Sequence, residues 1–510
     1  MKNTRISSVL PLSCIALMLF AWQISAAGKV RLPSVIGSGM VLQQNTEATL
    51  WGWASPGKKI TVRPSWSKSR YSAVAGADGA WEKKEKPAGA GGPYNIRISD
   101  GETVTLEDIM LGEVWLCGGQ SNMEMPLGGF INQPVDGSAE AVTAASCYPQ
   151  IRLFTVGKNS SAEPQDDCEG RWQRSCPESA ANFSATGWFF GKILTEALGG
   201  VPVGLISSNW GGSRIETWMT EDSIRSTGEI HQDIAMSGTD SNQIPQALFN
   251  GMIWPVRKFT LKGFLWYQGC SNTHNWFDYD RLMVSLTELW RSVWGNPELP
   301  FYYVQIAPYK ETGMDNIDFP MVVEAQMKAL AEIPHSGVAG TTDLGEKDCV
   351  HIRGKFHVAQ RLAWLALAND YGVKGLPRPA PTFRDYGHDK SDPRKMILHF
   401  NNLCDENTWF EPDSFDTYKD GEIMSPGGFE VAGEDRVWHK ARASFGNSSN
   451  MIYVWSEDVP YPVAVRYAFH NYCPDANVVT TYGQPLIPFR TDDWPATDLR
   501  CPEPAGNPAQ

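Results

Sequence analysis

The run from Leu111 to Pro126, LGEVWLCGGQSNMEMP, constrains what this chain can fold into more than any other stretch. Val114-Trp115-Leu116-Cys117 suits a buried strand, Gly118-Gly119 frees the backbone to turn sharply, and Gln120-Ser121-Asn122 opens a helix. A strand-to-helix elbow of this kind exposes a hydroxyl at the carboxyl edge of a parallel sheet. Ser121 is therefore the candidate nucleophile. In isolation the same residues also fit a serine N-cap after a glycine turn, so the rest of the chain has to discriminate.

Around the elbow, between about residues 107 and 372, apolar strands alternate with amphipathic helices. Five strands are expected, at Gly112–Cys117, Val203–Ser207, Gly263–Tyr267, Phe301–Ile306 and Gly337–Thr341. Trp188, Phe189, Ile193, Leu194 and Leu198 fall at helical spacing, as do Leu282, Leu286, Leu289, Trp290 and Val293, while Ala359, Leu362, Ala363 and Leu365 line a last helix. Strands joined by crossover helices predict an α/β domain with a doubly wound parallel sheet. Residues 28–106 carry short β-type runs such as Ala48–Trp53, punctuated by glycine and proline, and read as a β-sandwich. A proline-rich linker, Leu376–Pro381, leads into a further β-rich region, assigned to 373–510.

A chain of 510 residues exceeds one core, and several domains are the expectation. A formal net charge of -13 argues against nucleic acid or an anionic membrane surface as partner and suits a neutral glycan better. Lys2 and Arg5, an apolar stretch from Val9 to Trp22, and small residues up to Ala27 have the layout of a cleavable signal peptide over residues 1–27. That predicts a secreted or periplasmic protein with no membrane span after cleavage, since the apolar stretch is shorter than the roughly 20 residues a spanning helix needs. Ten cysteines include Cys14 within this segment, leaving an odd number. Cys168 with Cys176, and Cys473 with Cys501, are close enough in sequence to bridge, though spacing does not define connectivity. Neither a CxxC pair nor a histidine-rich cluster suggests a metal site, and no cofactor is expected.

The GQSNM motif after a WLC strand resembles the sialate O-acetylesterase family of SGNH-type serine hydrolases. Further similar blocks follow in the same order: Val201–Ile206 with Trp210-Gly211-Gly212-Ser213, Trp266-Tyr267-Gln268-Gly269 with Asn272, Pro300–Gln305, Glu324-Ala325-Gln326, His351 with Lys355 and Arg361-Leu362-Ala363, and Pro488–Asp492. The resemblance spans most of the chain. It implies an SGNH-type, flavodoxin-like sheet and a carbohydrate O-acetylesterase working through an acyl-enzyme, on O-acetylated sialic acid or on xylan-type glycans.

Acyl transfer needs a nucleophile, a base, a group that orients the base, and donors for the oxyanion. His351, just before the last helix, is the candidate base. Asp348, three residues earlier, is the candidate orienting acid, with Glu346, Asp343 or no acid as alternatives, because Cys349-Val350 and Ile352 depart from the Asp-Ile-His-Pro of the family. The candidate oxyanion donors are the amides of Ser121 and Gly212, preferred over Gly211, and the side chain of Asn272. Gln268, Arg214 and Trp210 are the candidate substrate contacts. Arg214 is the one cation that the motifs place beside the donors, so its fork is a candidate for a sialate carboxylate. Cys270 stands where the family has glutamate. These departures motivate a contrasting class, an inactive carbohydrate-binding scaffold. A lipase-like esterase is less well supported, because the chain has no Gly-x-Ser-x-Gly elbow.

Overall fold

The computed structural model describes residues 29–496 apart from 88, 229, 311–316, 404–409, 413–417, 420–421, 424 and 447–449. The expected signal segment and Cys501 lie outside the described residues. Among those described, no helix is long and apolar enough to cross a membrane.

The central sheet has seven strands: β1 Thr103–Gly119, β2 Ile151–Thr155, β3 Trp172–Arg174, β4 Val203–Asn209, β5 Gly263–Tyr267, β6 Phe301–Val304 and β7 Ser336–Ala339. Their spatial order is β7-β6-β5-β1-β4-β2-β3. Every pairing is parallel except that of β2 with the edge strand β3. This is the expected doubly wound α/β architecture, larger by β2 and β3. The sequence IRLFT hides β2 because Arg152 interrupts its apolar run. In the fold that arginine is buried and held by the Asp108 carboxylate, with Nη2 to Oδ1 at 3.0 Å.

Period-two alternation along the strands divides the interior into two cores. Val114, Leu116, Phe264 and Trp266 point to one face, under helices Tyr279–Val293 and Asp318–Glu332. Trp115, Cys117, Leu265 and Tyr267 point to the other, under Ala185–Ala197 and Lys355–Asn369.

Strand β1 is long because it serves two sheets. Its first half pairs with Gly91–Ser99, Val41–Gln43 runs parallel to Met110–Gly112, and only from Glu113 onward does it pair with β4. The amino-terminal β region thus runs into the α/β sheet through continuous backbone, and the division placed between residues 106 and 107 falls inside this strand. Beyond the linker, two four-stranded sheets share one apolar core that includes Leu398, Ile452, Val431 and Tyr467. Cys168 and Cys176, considered as a bridge, both carry thiols.

Candidate active site

Ser121 is the first residue of the short helix Ser121–Glu124, separated from the end of β1 by Gln120 alone. Glycine is required at the turn. Gly119 has φ +139°, and a Cβ there would meet the Tyr267 carbonyl at 2.2 Å. The elbow is fastened to the end of β5 through Gln120, whose N donates to Tyr267 O at 3.0 Å. Its side-chain Oε1 accepts from Gly269 N at 3.0 Å and Ser271 N at 3.3 Å.

The turn after β4 closes against the same point. Trp210 N donates to Gly119 O at 3.1 Å, and a Cβ on Gly211 would stand 3.3 Å from that of Ser121. Gly211 N donates to Glu124 Oε2 at 2.6 Å. That amide is occupied, and its neighbour Gly212, a left-handed residue with φ +74°, lines the cleft. The Ser121 amide opens its helix and has no intrahelical acceptor.

His351 and Ser121 line one cleft of about 550 Å³, together with Glu124, Phe130, Lys158, Trp210, Gly211, Gly212, Cys270, Tyr309 and Phe319. The histidine loop is tied to the elbow by Asn122, whose Nδ2 donates to Val350 O at 2.9 Å. The Lys355 ammonium, fully buried, donates to Asn122 Oδ1 and lies 5.1 Å from the Tyr267 ring centroid. Burial pushes this amine down to about 7. Burial, reinforced by Lys355 and opposed by Glu124, likewise depresses the His351 imidazole to about 4, so the ring is neutral at ordinary pH.

The orienting group differs from the sequence expectation. Asp348 is exposed, and His351 Nδ1 pairs instead with Gln133 Oε1 at 2.6 Å. Glu346 accepts from Arg353 N at 2.8 Å, and Asp343 binds the Arg361 guanidinium through both oxygens, so neither alternative acid serves the ring. Sequence reasoning had no signal for Gln133, which lies 218 residues from the histidine in an unremarked turn.

Three further expectations are corrected by burial. Asn272 is fully buried with both amide hydrogens spent, on Glu216 Oε2 and Asn275 Oδ1 at 3.0 Å each, so it offers nothing to an oxyanion. Gln268 is equally enclosed. Its Nε2 donates to Asn272 Oδ1 at 2.7 Å and Ser213 O at 3.1 Å, and its Oε1 accepts from Tyr279 OH at 2.7 Å. Together these residues brace the turn that carries Gly212. Arg214 is buried and directed into its own loop, with Nη1 donating to Ile234 O at 3.1 Å, rather than into the cleft. Trp210, by contrast, lines the cleft. Among the other tryptophans near the motifs, Trp218 and Trp266 are core residues.

One wall of the cleft is charged. Lys158 Nζ pairs with Glu124 Oε1 at 2.6 Å and sits 5.5 Å from the Trp210 ring centroid. Tyr309 and Phe319, which also line the cleft, meet edge to face at 5.8 Å. Both are propped by the carboxyl-terminal β region: Tyr309 N donates to Asn471 O at 2.7 Å and Phe319 N to Asn471 Oδ1 at 2.9 Å.

A doubly wound parallel sheet whose Ser121 and His351 line one cleft is the SGNH-type architecture expected from the sequence, and comparison with known proteins specifies the class. The family described as carbohydrate esterase, sialic acid-specific acetylesterase, matches residues 111–368. The chain belongs to this family and is a carbohydrate O-acetylesterase. The human sialate O-acetylesterase is 29% identical over 404 residues, 72% of this chain and 76% of that protein. The mouse enzyme is 28% identical over 438 residues, 73% of this chain and 79% of its own. The crystal structure of a novel carbohydrate acetylesterase from Xanthomonas citri superposes with a TM-score of 0.80 at 34% identity, covering 91% of this chain and all of that one.

Proposed function

We propose that this chain is an exported serine esterase that removes acetyl groups from neutral sugars. The observation that carries the mechanism is the meeting of Ser121 and His351, distant in sequence, on one cleft with the histidine Nδ1 already engaged. Nε2 is then the nitrogen left to take the serine proton. As Ser121 Oγ attacks the acetyl carbonyl carbon, its proton passes to Nε2 and the carbonyl oxygen becomes an oxyanion held by the amides of Ser121 and Gly212. Each such donor is typically worth ~3 kcal/mol in the transition state. The imidazolium then protonates the departing sugar oxygen. Water, deprotonated by the same ring, attacks the acyl-enzyme and releases acetate and free serine.

The preference for a neutral sugar rests on charge. Lys158 and Glu124 are the charged carboxylate and ammonium groups lining the cleft, and they neutralise each other at 2.6 Å. The net charge of -13 adds a repulsive background for an anion. Trp210, Tyr309 and Phe319 supply faces for sugar rings. Export rests on the signal-like segment at residues 1–27.

The test is acetate release from acetylated xylo-oligosaccharides, O-acetylated sialic acid and p-nitrophenyl acetate by wild type and Ser121→Ala. The variant should retain the fold and fall to the background rate on all three. Turnover by it at the wild-type rate would end the serine mechanism, and faster release from sialic acid than from the neutral sugar would end the substrate preference.

A further inference from the structure

The turn Phe130-Ile131-Asn132-Gln133 is built to hold one side chain still. It is closed by two reciprocal backbone bonds, Phe130 N to Gln133 O and Gln133 N to Phe130 O, each 3.0 Å. Asn132 takes the left-handed conformation with φ 59°. Just beyond, Asp136 N donates to Arg353 O at 3.0 Å, which clamps this segment to the histidine loop. The Phe130 ring abuts His351 edge-on with centroids 5.2 Å apart. From this frame the Gln133 Oε1 meets His351 Nδ1 at 2.6 Å.

We propose that Gln133 is the positioning residue of the catalytic base, filling with a neutral carboxamide the place that a carboxylate takes in a Ser-His-acid triad. The proposal rests on the serine mechanism above. An amide oxygen only accepts, so it requires the proton on Nδ1 and leaves the Nε2 lone pair for the serine. It fixes tautomer and ring angle without adding the negative charge that would stabilise an imidazolium. The charges acting on the ring are then Lys355 and Glu124, of opposite sign, with the Cys349 thiol donating to the His351 carbonyl at 3.3 Å. A weakly basic, correctly oriented imidazole is the result.

The experiment measures kcat, KM and pH-rate profiles on p-nitrophenyl acetate for wild type, Gln133→Ala, Gln133→Glu, Asp348→Asn and Ser121→Ala. Gln133→Ala should lower kcat on the order of tenfold to a hundredfold with KM within about twofold, because orientation and not binding is lost. Gln133→Glu should keep most of the activity and move the acid limb of kcat/KM upward by about one pH unit, since a nearby carboxylate favours the charged ring. Asp348→Asn should be milder than Gln133→Ala. The assignment is overturned if Gln133→Ala turns over at the wild-type rate, if Gln133→Glu leaves the acid limb in place, or if Asp348→Asn is as damaging as Gln133→Ala. Retained activity in Ser121→Ala would overturn the underlying mechanism instead, which separates the two failures.

Discussion

The side-chain Nδ2 of Asn122 donates to the backbone oxygen of Val350 at 2.9 Å, joining the residue after the nucleophile to the residue before the base across 228 positions of sequence. Lys355, buried at the start of the last helix, grips the other end of the same amide. The elbow and the histidine loop are therefore tied together by a side chain that hydrogen-bonds to neither Ser121 nor His351.

Replacing Asn122 with alanine strips partners from the buried Lys355 amine and the half-buried Val350 carbonyl, each loss costing up to ~1–3 kcal/mol. A lower melting temperature and a kcat reduced on the order of tenfold are expected, since small misplacements of catalytic groups are costly. Thermal melts paired with kinetics check this, and a variant that melts and turns over like wild type removes the positioning role.

The imidazole of His351, depressed from 6.5 to about 4, dictates the acid side of the pH profile. Activity should stay near its plateau down to about pH 5 and fall through about pH 4, because the ring must be unprotonated to act as base. The same shift bears on stability. The fold favours the neutral ring, so this contribution is present above 6.5 and is lost as pH falls from 6.5 towards 4. An acid limb of kcat/KM near 6.5 would contradict both.

Glu85 works in the opposite sense. Its carboxyl is sealed in the amino-terminal β region, and burial, only partly offset by the Trp66 indole N–H, lifts it from 4.5 to about 7. The fold therefore holds a proton that the unfolded chain releases. Its contribution is full below 4.5 and is lost as pH rises to about 7. Glu85→Gln should raise the thermal midpoint at pH 8 and give little gain at pH 4, as scanning calorimetry at the two pH values would show.

Arg214 holds its loop through Ile234 O, and through Ser237 Oγ and Gln243 O at 3.4 Å each. Arg214→Ala should weaken turnover of O-acetylated sialic acid and of acetylated xylo-oligosaccharides to the same degree, with a lowered melting temperature. A loss confined to the sialate would mean that the guanidinium reaches substrate after all.

Gly119→Ala places a methyl carbon 2.2 Å from the Tyr267 carbonyl at a backbone angle that alanine disfavours. Little soluble, folded protein is expected from this variant. A well-folded one with wild-type activity would show that the elbow tolerates relaxation.

What the sequence determined by itself was local and periodic. The continuous apolar run Val114-Trp115-Leu116-Cys117, the glycine pair, and helical spacing in Tyr279–Val293 reflect backbone geometry acting over a few residues, so strands, helices and elbow were legible. The strand Ile151–Thr155 escaped notice because the charge on Arg152 is compensated by Asp108, and that partner is visible only after folding. The direction of a polar side chain is likewise a tertiary decision. Gln268, Asn272 and Arg214 all lie in motif blocks, yet the cost of burying an unpaired polar group drew them into a common interior network with Glu216 and its neighbours and away from the cleft. The same rule, applied to the half-buried Nδ1 of His351, selected the oxygen that packing brought within reach, which belonged to Gln133 and not to the carboxylate three residues away.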